Sequence, residues 1–227
     1  MARIIKPAEH SAKRNEILDA AYRIVVTRGF DEMTIGDLLT ELKMSKGAFY
    51  HYFRSKSELL EAMITRMREE AEAVLAPIVE NQRLSALDKL LHWFDAIARW
   101  KSVRKGTLLS LLRIWYDDDN ALVRQKLRRD TLVWMTPMLC RLVRQGIEEG
   151  TFSTRYPDQV AHVLYGLFYD LGDALAGLLL SSETNEASRE QAKAMVGAYT
   201  DALERALGAP RDSLVLVDTQ TMEAWFG

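Results

Sequence analysis

The sequence is poor in the residues that staple or break a fold. Its 227 residues hold one cysteine, Cys140, so no internal disulfide can form and a reducing compartment is expected. Five prolines and twelve glycines are too few to punctuate a sandwich or barrel of short strands, and they favour long helices. No charged-then-apolar leader opens the chain, which points to a cytoplasmic location. The most apolar run, Val160 to Leu180, carries His162, Asp170 and Asp173. Those groups suit a helix buried in protein, so no membrane partner is expected. His10, His92 and His162 stand apart from cysteines and from carboxylates at ligand spacing, so neither metal nor cofactor is expected. Asp117-Asp118-Asp119 reads as a solvated turn before Asn120. No nucleophile–base pair or glycine-rich phosphate loop supports an enzyme.

What the chain does contain is ordinary for a soluble globular protein, with 48% hydrophobic and 27% charged residues. The net charge of -2 is unevenly spread: through Lys56 ten basic residues face seven acidic ones, which gives a basic head on an acidic body. Such a division fits a DNA-binding domain attached to a regulatory one.

Helical periodicity begins at Ser11, after an unpatterned basic arm of eight residues, and places Ile17, Ala21, Ile24 and Val25 on one face. Gly29 is expected to end this helix, with Phe30 folding back. Thr34, with Asp37 three residues on, caps a short second helix whose Ile35, Leu38 and Leu39 point inward. After a turn at Lys43-Met44, Ser45 caps a third helix to about Phe53, and Ser55 with Glu58 boxes a fourth. The fourth carries Leu59, Leu60, Met63, Ile64 and Met67 inward and is expected to stop near Leu75, before Pro77. Further helices are expected from Ser85 (with Leu87, Leu91, Phe94 and Ala98 inward), over Thr107 to Tyr116, and over Asn120 to Glu149 with Pro137 inside. Others run from Pro157 to Leu180 and from Thr184 to Leu207, followed by an extended Leu214–Val217 and a final turn capped by Asp218.

The informative stretch is Gly29 to Lys56, where two short helices and a tight turn follow a supporting helix. A helix entering the major groove needs small or donor side chains in its first turn. Lys46, Gly47 and Ala48 meet that need: Gly47 and Ala48 permit close approach, and Lys46 can donate to a guanine edge or a phosphate. Tyr50, His51, Tyr52 and Lys56 supply rim donors for phosphate oxygens, and the free amides near Thr34 and Ser55 add more. Phe49 and Phe53, four apart, are expected in the core.

From Arg14 to Leu60 the sequence resembles the DNA-binding domain of the TetR family of bacterial regulators. The resemblance lies in Ile17-Leu18-Asp19-Ala20-Ala21, Gly29-Phe30, Thr34-Ile35, the run Ser45-Lys46-Gly47-Ala48-Phe49-Tyr50-His51-Tyr52-Phe53, and Ser55-Lys56. Met44 and Ala48 depart from the family's usual valine and threonine, and Ala48 lacks a hydroxyl for base reading. The resemblance implies an all-α fold, with a three-helix helix-turn-helix domain over 1–56, a connecting helix over about 56–76, and a helical domain over 77–227. It further implies a homodimer formed through the helices at about 157–180 and 184–207, a palindromic double-stranded DNA operator, and a small-molecule effector. Repression with ligand-driven release is the implied mechanism; activation or corepression on the same fold is the alternative, and a helical-bundle enzyme or adaptor is a more distant one.

In the C-terminal half, Trp93, Trp115, Trp134, Met138, Tyr165 and Phe168 offer aromatic and thioether surface that serves either a pocket or the core. Asp170 and Asp173, on one face of an apolar helix, need a partner, either an arginine across a dimer interface or a cationic or hydrogen-bonding ligand. Gly166, Gly172, Ala176 and Gly177 permit close helix approach on the same element, and Cys140 reads as a small buried hydrophobe.

Overall fold

A computed structural model describes residues 7–181 and 185–227. Arg3 and Lys6 of the expected basic arm, and Thr184 at the expected start of the last long helix, lie outside the described residues. Among the described residues every regular element is a helix, as the scarcity of breakers implied. They divide into two compact units: one takes in the chain up to Glu69 with Gly106–Arg124, the other Glu70–Lys105 with Gln125–Gly227.

The N-terminal unit opens with α1 (Pro7–Arg28), which starts ahead of the expected Ser11. A proline is tolerated in a first turn because its missing N–H has no intrahelical partner there. Ile17, Ala21, Ile24 and Val25 form the buried face of α1. Gly29, at φ 85°, makes the left-handed turn that returns Phe30 to the core. The short α2 (Ile35–Glu41) rests on its cap. Thr34 accepts from the Asp37 amide, and the Asp37 carboxylate accepts from the Thr34 amide at 2.8 Å. Leu38 is buried, while Ile35 and Leu39 are half-buried.

Lys43, at φ 49°, makes the turn, and Ser45 accepts from the Ala48 amide to open α3 (Lys46–Tyr52). α4 (Lys56–Glu80) starts where Ser55 accepts from the Glu58 amide at 3.0 Å. The Glu58 carboxylate returns to the Arg54 amide and not to Ser55, so the expected box is displaced by one residue. Leu59, Leu60, Met63 and Met67 are buried along α4. Tyr22 donates to the Met63 carbonyl, and Asp19 pairs with Arg66 at 2.6 Å, which ties α1 to α4.

The expected stop near Leu75 is not observed, because α4 continues through Pro77 to Glu80. Proline inside a helix costs about 3 kcal/mol. Burial of Leu75 and Val79 contributes about 1.5–3 kcal/mol each, enough to hold the last turn.

In the C-terminal unit Ser85 caps α5 (Ala86–Val103). Its buried face is Ala86, Leu90, Trp93 and Phe94, whereas the expected Leu87, Leu91 and Ala98 are half-buried. The apolar arc is wide enough for either phase, and packing selects between them. α6 (Lys105–Trp115) and a 3₁₀ turn at Asp118–Asn120 lead to α7 (Ala121–Glu148), which contains Pro137. α8 (Pro157–Leu180) opens on its proline, and α9 (Glu186–Leu207) runs from an Asn185 cap to a left-handed Gly208. α8 and α9 pack on one another, and α10 (Thr219–Phe226) packs on α5 and α9. Glu204 secures the tail by accepting from the amides of Asp212, Ser213 and Leu214 at 3.1, 2.8 and 2.9 Å.

Gly146 in α7 lies against Phe152, and a Cβ at this position would fall 2.0 Å from the ring. Gly146→Ala therefore exchanges a helix-propensity gain of about 1 kcal/mol for overpacking of about 1–3 kcal/mol. Urea unfolding is expected to show a lower midpoint at unchanged m; a raised midpoint overturns the close-packing account.

Candidate nucleic-acid interface

α3 is seven residues long, too short to persist alone, and tertiary anchors hold it. Phe49 and Phe53 are fully buried in the N-terminal core, their rings 5.9 Å apart. Arg14 of α1 lies over the Phe53 ring at 4.5 Å. With that side of the helix fixed inward, the helical period turns Lys46, Gly47, Ala48 and His51 to solvent, and Tyr50 is 40% exposed. Tyr52 is half-buried because His10 stacks on it at 4.7 Å; His10 also meets the His51 ring edge-on at 5.6 Å. Thr34 is exposed, and its side chain and amide are engaged by Asp37.

The charges around α3 are sorted. Lys13, Arg23, Arg28 and Arg66 each pair with an acid: Glu16, Glu41, Asp37 and Asp19. Arg14, Lys43, Lys46, Arg54 and Lys56 have no ion pair among the described residues, and α3 itself contains no acid. Lys43 lies in the turn before α3, and Arg54 follows the helix. In the sequence Lys43 clusters with Lys46 and Lys56 on one module, whereas Arg54 counts only toward net charge. The signal that finds Arg54 is the lack of a carboxylate partner, which pattern alone does not give.

Lys56 is more tied down than expected. Its ammonium donates to the Asp31 carbonyl at 3.2 Å and lies 4.5 Å from the Phe30 ring centre. Burial lowers its pKa, opposed by the Asp31 charge. Asp37 is held below its ordinary 3.8 by hydrogen bonds from Thr34, side chain and then backbone, and by Arg28. Its depressed value means the α2 cap contributes fully above the ordinary carboxylate range and fades as pH falls through the lowered pKa.

Gly47 has an ordinary backbone, and a Cβ there would meet nothing within 4 Å. Nothing among the described residues requires a glycine at that position, so its smallness leaves room for a molecule approaching from outside.

Residues 17–63 match the family model described as bacterial regulatory proteins, tetR family. The HTH-type transcriptional repressor NemR of Escherichia coli K12 is 26% identical over 169 residues, which is 72% of this chain and 83% of that protein. The HTH-type transcriptional regulator YfiR of Bacillus subtilis is 27% identical over 173 residues, 74% of this chain and 80% of its own. A TetR-family regulator from Pectobacterium atrosepticum superposes with a TM-score of 0.63 at 19% identity, covering 91% of this chain and all of that one. Residues 17–63 are thus similar to the DNA-binding segment of the TetR family of bacterial regulators. Within that frame, α2 and α3 form the helix-turn-helix, and the matched segment ends at Met63, inside the part of α4 that packs on α1.

The other expected site residues are dispersed. Trp93, Met138 and Tyr165 are buried in the hydrophobic core of the C-terminal unit, and Trp134 and Phe168 lie at its margin. Trp115 belongs to the N-terminal unit. Tyr165 donates to the Arg128 carbonyl at 2.7 Å, and burial first, then Tyr169, pushes its pKa up to about 12, with Arg128 opposing. Asp170 is exposed in the single chain and accepts from the Tyr199 hydroxyl of α9. That hydrogen bond, the largest cause, raises the Tyr199 pKa. Cys140 is half-buried, and burial raises its thiol pKa, with Asp158 adding to the rise and Arg144 opposing it. No group of three metal-ligating side chains occurs among the described residues.

Two outcomes test the interface by fluorescence anisotropy on duplex DNA. Arg54→Ala is expected to weaken binding to all sequences and to cut the slope of log K against log salt by about 0.9 for each phosphate that goes unneutralised. An unchanged slope removes Arg54 from the interface. Gly47→Ala is expected to leave stability unchanged or raise it by up to about 1 kcal/mol while impairing DNA binding; undiminished binding refutes the close-approach role.

Proposed function

We propose that this chain is a homodimeric transcriptional repressor that binds a palindromic double-stranded operator through α3 and is released by a small molecule. The observation carrying the DNA reading is an acid-free, outward-facing helix bordered by cations that have no ion-pair partner among the described residues. The residues assigned to DNA are Thr34, Lys46, Gly47, Ala48, Tyr50, His51, Tyr52 and Lys56, joined by Lys43 and Arg54. Lys46, Gly47 and Ala48 face bases, and the others face phosphates. Lys56 keeps two ammonium hydrogens beyond its bond to Asp31. DNA binding is assigned to residues 1–56 and effector and dimer functions to 77–227, with α4 as connector; no catalytic step, cofactor or metal is assigned.

Dimerisation is assigned to α8 and α9. An 18-residue window of α8 has mean hydropathy 1.5, yet only 22% of it is buried within the chain. By length and composition alone such a helix could span a membrane. Its Asp158, Asp170 and Asp173, and its packing on the polar-faced α9, favour cover by a second copy of the pair in the cytoplasm. Val163 is 51% exposed, and open space beside Gly166, Gly172 and Gly177 leaves room for a partner helix. In the dimer two α3 helices about 34–36 Å apart, or a multiple of one DNA turn, meet successive major grooves.

Release follows if the effector prefers one spacing of those helices over another, since a ligand with equal affinity for both shifts nothing. The aromatic and thioether set of the C-terminal unit, Trp93, Trp134, Met138, Tyr165 and Phe168, is the assigned surface, with α4 as the connector.

Selection of binding sequences from a random duplex library is expected to return an inverted repeat. Enrichment of no motif, or of one lacking two-fold symmetry, rejects the operator reading. Val163→Arg is expected to shift sedimentation at micromolar concentration from dimer to monomer and to cost at least tenfold in operator affinity; an intact dimer removes α8 from the interface.

A further inference from the structure

The C-terminal unit contains a polar cavity separate from its aromatic set. It has a volume of about 400 Å³ and lies between the end of α4, the start of α5 and the last turns of α7. Val79 and Leu142 give it apolar wall, Lys89 and Arg141 project cations, and Glu80, Gln82 and Gln145 complete the polar lining. Its size falls within the range of small-molecule sites.

Lys89 is the unusual member. It is only 5% exposed, and its ammonium has one partner, the Gln145 side-chain oxygen at 2.7 Å. The direction of that amide is fixed from behind. The Gln145 nitrogen donates to the Leu84 carbonyl at 2.9 Å and to Glu149 at 2.6 Å, and the other Glu149 oxygen accepts from the Ala86 amide at 2.8 Å. The oxygen of Gln145 is thus committed to Lys89, and among the described residues no carboxylate reaches the ammonium. An ammonium has three donors, and burying one with a single neutral acceptor is unfavourable. Lys13 and Lys193, at the surface, each have a glutamate at 2.8 Å. Arg141 is exposed and makes no hydrogen bond or ion pair among the described residues.

We infer that this cavity binds a small organic carboxylate, which Lys89 and Arg141 grip while Val79 and Leu142 cover its apolar body. A guanidinium fork matches a carboxylate's two oxygens, and the buried ammonium supplies the second charge-assisted bond. The Glu80 carboxylate on the same wall reduces the formal charge of the lining to +1, which suits a singly charged acid and disfavours a phosphate dianion. The inference goes beyond the repressor reading and does not depend on it, because the aromatic effector set takes no part in this cavity.

Isothermal titration calorimetry of the full-length chain with benzoate tests it without DNA, so its failure and that of the operator reading are separable. Saturable binding of one benzoate per chain at millimolar concentration or below is expected, with no binding of benzyl alcohol and much weaker binding of inorganic phosphate. Lys89→Met and Arg141→Gln are each expected to weaken benzoate at least tenfold. Arg144→Gln, on the same helix but paired with Asp158 at 2.7 Å, is expected to leave it unchanged. Arg141 is solvent-exposed, so Arg141→Gln keeps the test valid whatever Lys89→Met does to folding. Absence of saturable binding, equal affinity for phosphate, or benzoate affinity unaltered in Arg141→Gln overturns the assignment.

Discussion

The outward face of α3 depends on one packing constraint, the burial of Phe49 and Phe53 from a helix that could not persist by itself. Two aromatic side chains four residues apart fix both the depth and the rotation of α3. Once they are inside, the 3.6-residue period leaves no choice about what is outside: Lys46, Gly47, Ala48, Tyr50 and His51. Aromatic burial of this kind contributes several kcal/mol, of order 3–5 per phenylalanine by the cost of truncation. That is far more than a two-turn helix gains from its own hydrogen bonds and caps, so recognition geometry and domain stability share the same two residues.

Electrostatics then refine what packing has exposed. Acids of the N-terminal unit pair with cations away from α3, as in Arg23–Glu41 and Arg66–Asp19. Exposed pairs of this sort add little to stability, about 0–1 kcal/mol. Their larger consequence is to leave Lys43, Lys46 and Arg54 as the open positive charges next to an acid-free helix. A modest net charge on the first 56 residues therefore understates the local field that a polyanion would meet.

The elements most legible in the sequence are those written by a local rule. The Thr34–Asp37 box, the Ser45 and Asp218 caps, the left-handed Gly29 and Gly208, and the proline opening α8 each need only neighbours within four residues. The features that depart from expectation are set by distant partners. Pro77 sits inside α4 because Leu75 and Val79 find a core, and the buried phase of α5 is chosen by what packs against it. For Lys56 and Asp170 the neighbours in sequence are a poor guide, since the Phe30 ring and the Tyr199 hydroxyl are what they meet. The exposure of Lys46, Gly47, Ala48, Tyr50 and His51 on α3 is readable because it follows from helix period and residue type. The Lys89 cavity is not, since it joins segments more than fifty residues apart.

A seven-residue reading helix also limits how much one subunit can do. The handful of base and phosphate contacts that a helix of this length can offer would give weak affinity at physiological salt, where backbone contacts are partly screened. Joining two such helices makes the second engagement intramolecular, which raises affinity steeply provided the spacing matches the groove repeat. That requirement connects the two ends of the sequence. α8 is too apolar to be left as exposed as the single chain leaves it, and cover by a twin would give the DNA-binding head its second copy. The hydrophobic excess far from the helix-turn-helix is on this view a condition for operator binding. Changes on α8 that weaken self-association would be felt in DNA affinity without touching any residue near the duplex.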